Sequence, residues 1–100
     1  MARATRIAMG QLLCTPNVRD TIALRPLFAS KITAWIDQHL QGVCPHMDEH
    51  DRAANRRAVR NIEGERVLTA WPTGIDEHPS LWIITEADRS VTTLFWPDEY

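Results

Sequence analysis

One hundred residues, 44% apolar and 24% charged, describe a chain able to bury a core, and this composition excludes disorder. A compact chain of this size hides roughly two-thirds of its unfolded surface, enough for a single domain over residues 1–100 but not for a deep enclosed substrate pocket as well. The net charge of −2 is unevenly spread: Asp76, Glu77, Glu86, Asp88, Asp98 and Glu99 face only Arg89 in the last thirty residues, while Arg52, Arg56, Arg57 and Arg60 crowd together. Such a dipolar molecule can steer toward either sign of charge.

Met1 to Met9 holds Arg3 and Arg6 but no apolar stretch of signal-peptide length. No run is long enough to span a bilayer. The expectation is a cytoplasmic chain in which Cys14 and Cys44 are reduced thiols.

Thr15-Pro16 reads as a helix start, with Thr as the cap and Pro at the first helical position. Val18, Ile22 and Ala23 are its inward residues, and Pro26 stops it near Leu24. Pro26 opens a second helix whose Phe28, Ile32, Trp35, Ile36, His39 and Leu40 form one stripe, ended by Gly42. After the connection Val43 to Met47, Asp48 caps a third helix over Glu49 to Asn61 with Ala54, Ala58 and Ile62 inward. Its acids come first and its arginines last, as the helix dipole prefers.

Beyond Gly64 the runs Arg66 to Trp71, Leu81 to Glu86 and Val91 to Trp96 are β-branched and aromatic. Trp71 to Ser80 reads as a long hairpin loop and Glu86 to Ser90 as a tight one. The expected fold is α+β: three N-terminal helices (about 15–62) packed on a C-terminal three-stranded antiparallel meander (about 65–97).

Little in the sequence suggests an active site. Cys44, His46 and His50 have a spacing that suits zinc, with His39, Asp48 or Cys14 as a fourth ligand, but structural zinc sites show paired spacings and this is one cluster. No metal or other cofactor is expected. Neither cysteine has a glycine-rich elbow beside it. Glu86 and Asp88 sit at a solvated hairpin tip that cannot tune an acid–base pair. Gly10 and Gly64 stand outside any phosphate-cradling loop. The expectation is a non-enzymatic binding protein.

Two surfaces compete for that role. Arg52, Arg56 and Arg60, four apart, project within about 80° of one another on a helix and suit successive phosphates. Their plainer role is dipole complementation and pairing with Asp48 or Glu49. Both strand faces of Leu81 to Glu86 are apolar, which predicts a central strand. The margins near Trp71, Trp82 or Trp96 read equally as a partner patch or as core. The Glu86 to Ser90 tip reads either as turn chemistry or as a charged recognition loop.

The block Leu81-Trp-Ile-Ile-Thr-Glu-Ala-Asp-Arg-Ser-Val-Thr-Thr-Leu-Phe-Trp-Pro-Asp-Glu-Tyr100 resembles the C-terminal end of a family of small proteins encoded on bacterial plasmids, integrative elements and phages. Gly10-Gln-Leu-Leu-Cys-Thr-Pro16 is similar to that family's opening, and Asp48 to Asn55 to its middle. Val43 to Met47 departs from the pattern, which has a short Asp-Trp-Gly-like connection there. A branch of the family resembles anti-CRISPR proteins acting on type I-F surveillance complexes. The resemblance implies an inhibitor that binds protein subunits of the crRNA-guided complex and stops target DNA from being engaged or unwound. Candidate partner-binding residues are Arg52, Arg56, Arg60, Asp76, Glu77, Glu86, Asp88 and Arg89, the acids pairing with basic residues that track DNA phosphates. The alternative is a nucleic-acid-binding accessory protein of a mobile element, acting through the arginine helix.

Overall fold

The helices follow their sequence signals closely. In the computed structural model, which describes residues 6–60 and 65–100, the Thr15 hydroxyl accepts from the Val18 N–H at 3.3 Å and α1 covers Pro16–Leu24. Arg25 is extended (φ −131°, ψ 91°), as the proline after it requires, and α2 covers Pro26–Leu40. Its end is a Schellman closure: Gly42 N–H donates to His39 C=O and Val43 N–H to Gln38 C=O, both at 2.9 Å. Gly42 has φ 73°, and a Cβ there would come within 2.8 Å of Val59 Cγ2. The third helix, α3 (Glu49–Arg60), starts where Asp48 Oδ1 accepts from Asp51 N–H at 2.8 Å. Asn61 and Ile62, expected to continue it, lie outside the described residues.

The sheet corrects the expected meander. It has four strands, β1 (Gln11–Cys14), β2 (Val67–Ile75), β3 (His78–Thr85) and β4 (Val91–Phe95), in the order β1-β4-β3-β2. β1 runs parallel to β4, with Gln11 opposite Val91 and Cys14 opposite Leu94. The sheet is therefore mixed, and the helices fall between β1 and β2 in the chain and do not precede every strand. β1 escapes a local reading because four residues with adjacent leucines show no alternation, and its partner lies eighty residues away.

The expected loop over Trp71 to Ser80 is also mostly strand. Pro72 fits because the N–H of an even-numbered β2 residue points to the outer edge, where proline removes nothing. Pro79 lies where the β2–β3 register shifts, between the Pro72–Ser80 and Ile75–His78 pairs, so no regular ladder bond calls on its N–H. Gly74 (φ 75°) provides the irregularity before the Asp76-Glu77 turn.

One face of this sheet carries the core. Residues paired across strands share a face, so Val67, Thr69, Trp71, Leu81, Ile83, Thr85, Thr92 and Leu94 lie together. Val18, Phe28, Ile32 and Trp35 of α1 and α2 pack on them, and Ala58 and Val59 of α3 join Val67, Leu40 and Ile7. Trp71, Trp35, Phe28 and Trp96 follow one another with centroids 5.6–6.1 Å apart, Trp71 stacked on Trp35, Trp35 edge-to-face with Phe28, and Phe28 stacked on Trp96. Trp71 and Trp96, which read equally as a partner patch or as core, are core residues.

The two sheet edges differ. On β2 the Asn55 side chain mimics a neighbouring strand: its amide donates to Leu68 C=O at 2.8 Å and its oxygen accepts from Leu68 N–H at 3.3 Å. The Cys44 thiol donates to Ala70 C=O at 3.2 Å. The β2 edge is sealed by side chains, whereas all four residues of β1 are exposed.

Candidate binding surfaces

The sheet face opposite the helices carries the other half of each strand's alternation. It bears Leu13 and Gln11 from β1, Leu68 and Ala70 from β2, Trp82 and Ile84 from β3, and Thr93 and Phe95 from β4. Among the described residues no helix or strand covers this face, and aromatic side chains roof it. The Trp82 ring meets the edge of Phe95 at 6.1 Å, and Tyr100 stacks on Phe95 at 5.5 Å and meets Trp82 at 5.9 Å. A 3₁₀ turn over Pro97–Glu99 carries Tyr100 into place. Glu99 holds that turn by accepting from the Trp96 N–H, Thr15 and Asn17 at 2.8–3.0 Å. Burial opposes its ionisation, but these hydrogen bonds outweigh it and keep the carboxyl below its ordinary range. The Arg66 guanidinium lies over the Tyr100 ring at 5.6 Å and donates to its hydroxyl. Ile84 and Phe95 are buried under this roof, Trp82 is half-buried, and Tyr100 is 66% exposed.

The candidate charges do not gather into one cluster. Asp76 and Glu77 occupy the β2–β3 turn, and Glu77 helps line a 290 Å³ hollow with His78, Pro79, Ser80, Pro97 and Asp98. Glu86 and Asp88 lie at the other end of β3, roughly 25–30 Å away at the rise of an extended strand. Asp88 bonds Ser90 through its hydroxyl at 2.6 Å and its N–H at 3.0 Å, and these bonds lower its pKa. That is the turn chemistry read from its sequence.

Arg89 is drawn inward. It has φ 62°, and its guanidinium donates to Ala58 C=O and Glu65 C=O, each at 2.7 Å. It thereby ties the β3–β4 turn to the end of α3, where the helix leaves carbonyls without intrahelical partners. Arg52 and Arg56 both bond Glu49, whose carboxyl is held below its ordinary pKa by those hydrogen bonds first and their charge second. Arg56, Arg57 and Arg60 surround a shallow 500 Å³ depression with Ala53. Arg57 also lies 3.6 Å from Glu65.

Cys44 and His46 have structural partners. The Cys44 thiol is raised in pKa by burial, against the weaker pull of nearby backbone hydrogen bonds. His46 meets the edge of Trp71. Among the described residues, no three His, Cys, Asp or Glu side chains come together as a metal cluster, and no helix is long and apolar enough to cross a membrane.

His39 sits in a buried chain whose direction can be deduced. Thr92 donates to Met9 C=O at 2.6 Å, so its single proton is spent. Thr85 must then donate to Thr92 across 2.7 Å, and it accepts from His39 Nε2–H at 2.9 Å. Trp71 Nε1–H donates to Thr69 at 2.8 Å, leaving the Thr69 proton for His39 Nδ1 at 2.7 Å. His39 is therefore neutral with its proton on Nε2. Burial lowers its pKa from 6.5 to about 4.

What the local reading missed is the aromatic roof. Leu13, Phe95 and Tyr100 fall on one face only once the pairing of β1 with β4 and the C-terminal turn are known. Comparison with protein-family models, curated proteins and solved structures finds no match to this chain.

Proposed function

We propose that this protein is an inhibitor that docks on a type I-F crRNA-guided surveillance complex and blocks target DNA engagement or unwinding, with the roofed sheet face as its contact. The observation that carries this reading is where the resembling block lies: Trp82, Ile84, Thr93, Phe95 and Tyr100 all belong to Leu81–Tyr100 and build that face. Large half-exposed aromatics at the centre of a surface supply the desolvated anchors of a protein interface. Asp76, Glu77 and Glu86, at opposite ends of β3, would meet basic side chains that otherwise track DNA phosphates. Strand exchange in such complexes is close to balanced and leans on protein–backbone contacts, so covering those contacts is enough to stop it.

The test is co-migration of the purified chain with the assembled complex on a sizing column, followed by target-DNA binding. Wild type and an Arg56→Ala/Arg60→Ala variant are expected to co-elute and suppress DNA binding, and Trp82→Ser/Tyr100→Ala to do neither. Elution of the wild type alone would overturn the reading. A second reading, nucleic-acid binding, is favoured by the three-arginine depression on α3, which lies away from the roofed face. It predicts DNA affinity that falls steeply with salt and disappears in the arginine variant.

A further inference from the structure

We infer that β1 is the seam of a two-fold dimer in which the sheets of two copies join edge to edge. Gln11 N–H donates to Ser90 C=O at 2.9 Å and Thr15 N–H to Leu94 C=O at 3.1 Å, so the odd-numbered residues of β1 face β4. Successive residues of a strand point their backbone groups to opposite sides. The N–H and C=O of Leu12 and Cys14 are accordingly turned outward.

Two outward residues separated by one are self-complementary. With an antiparallel second copy centred on Leu13, Leu12 faces Cys14 of that copy and Cys14 faces its Leu12, which makes four backbone hydrogen bonds. Centring on Leu12 or on Cys14 instead makes only two at that pair and sets the other outward residue against Gly10 or Pro16. The alternation of faces therefore selects the Leu13 register.

Three further features favour a copy of the same chain in this place. Every residue near a two-fold axis meets its own image, so a charge there repels itself. No charged residue lies between Arg6 and Arg19, and Leu12 and Leu13 are 44% and 42% exposed. The lysines, prolines and bulges that usually guard an exposed edge are missing from Gln11–Cys14. The opposite edge is sealed by Asn55 and Cys44, so pairing stops at two copies and cannot run on into a fibre.

In this arrangement both helical layers lie on one side of an eight-stranded sheet and both aromatic roofs on the other. The seam is short, well below the roughly 800 Å² per partner of a standard interface, so the dimer is weak and populated only at high protein concentration. It does not depend on which partner the roofed face takes.

The register makes the test specific. Leu13 and its image form a non-hydrogen-bonded pair with Cα atoms about 4.5 Å apart, within the range a disulfide spans. In a Cys14→Ser background, Leu13→Cys is expected to give a cross-linked dimer under glutathione disulfide. Leu27→Cys, 79% exposed at the α1–α2 corner, serves as the random-collision control. Sedimentation of the wild type is expected to show mass rising with concentration, and Leu13→Asp, with circular dichroism as the fold check, to remain monomeric. Cross-linking of Leu13→Cys no faster than the control, or a wild type that stays monomeric at about 1 mM, the weak end of ordinary protein association, would overturn the inference.

Discussion

The His39 chain makes the stability of this protein depend on pH in a way that can be worked out. Protonating Nδ1 would turn an acceptor into a donor facing Thr69, whose oxygen already accepts from Trp71 and whose proton would lose its partner. The site is fully buried, so no water can repair the mismatch cheaply. With its pKa lowered from 6.5 to about 4, His39 takes up its proton in the unfolded chain first as the pH falls. Its contribution is complete above 6.5, is lost progressively toward pH 4, and loses nothing further below that.

At about 1.4 kcal/mol per pH unit the whole loss is about 3 kcal/mol, of which about 2 kcal/mol has gone by about pH 5. Against a typical total of about 5–15 kcal/mol that is large. The assay is urea denaturation from about pH 7.5 to about pH 5, wild type beside His39→Gln, so that carboxylates and the other histidines cancel in the difference. The wild type should lose about 2 kcal/mol more than the variant across that interval. Equal losses, or nitrogen NMR shifts showing His39 protonated on Nδ1, would refute the deduced chain.

Gly10 has φ 64°, and a Cβ there would overlap the Ser90 carbonyl, so Gly10→Ala is expected to cost at least about 2 kcal/mol in the same denaturation assay. A cost below about 0.5 kcal/mol, the scale of an ordinary surface change, would mean that β1 does not approach the β3–β4 turn as described. Asn55→Ala strips both hydrogen bonds from Leu68 and should cost about 2–3 kcal/mol, while light scattering rises with time as the β2 edge becomes free to pair. Under native conditions a thiol reagent should label Cys14 and spare Cys44 until the chain is unfolded; rapid labelling of both would contradict the bond from Cys44 to Ala70.

The parts of the fold legible in the sequence are those governed by neighbours in the chain. Thr15-Pro16, Pro26, Gly42 and Asp48 mark helix boundaries through local backbone chemistry, and the helices obey them. Pro72, Gly74 and Pro79 misled for the opposite reason. Each is a loop residue in isolation, and each is tolerated here because of what lies beside it: an outer edge for Pro72 and the register shift between β2 and β3 for Gly74 and Pro79. β1 is set by distant residues, among them Thr92, whose hydroxyl donates to the Met9 carbonyl just before the strand, and Ser90, whose carbonyl receives Gln11. The candidate charges were identified as residues but not as a group, because Asp76 and Glu86 become opposite ends of one strand only after the hairpin is extended.

The same pairing explains how a chain this short leaves a sheet face open at little cost. The apolar residues on both faces of β3 predict cover on both sides, yet three helices suffice for only one. Trp82, Phe95 and Tyr100, large rings of about 150–250 Å² each, pack edge-to-face and stacked on the other side, where Ile84 is 4% exposed. Arg66 and Glu99 fix the ends of that roof through contacts within the chain. A ring already held in place loses little conformational freedom when it is covered, so one of the costs of association is reduced. An edge that can extend the sheet through β1 would set two such roofs side by side, and a partner offering two apolar patches would then gain from both within a single encounter.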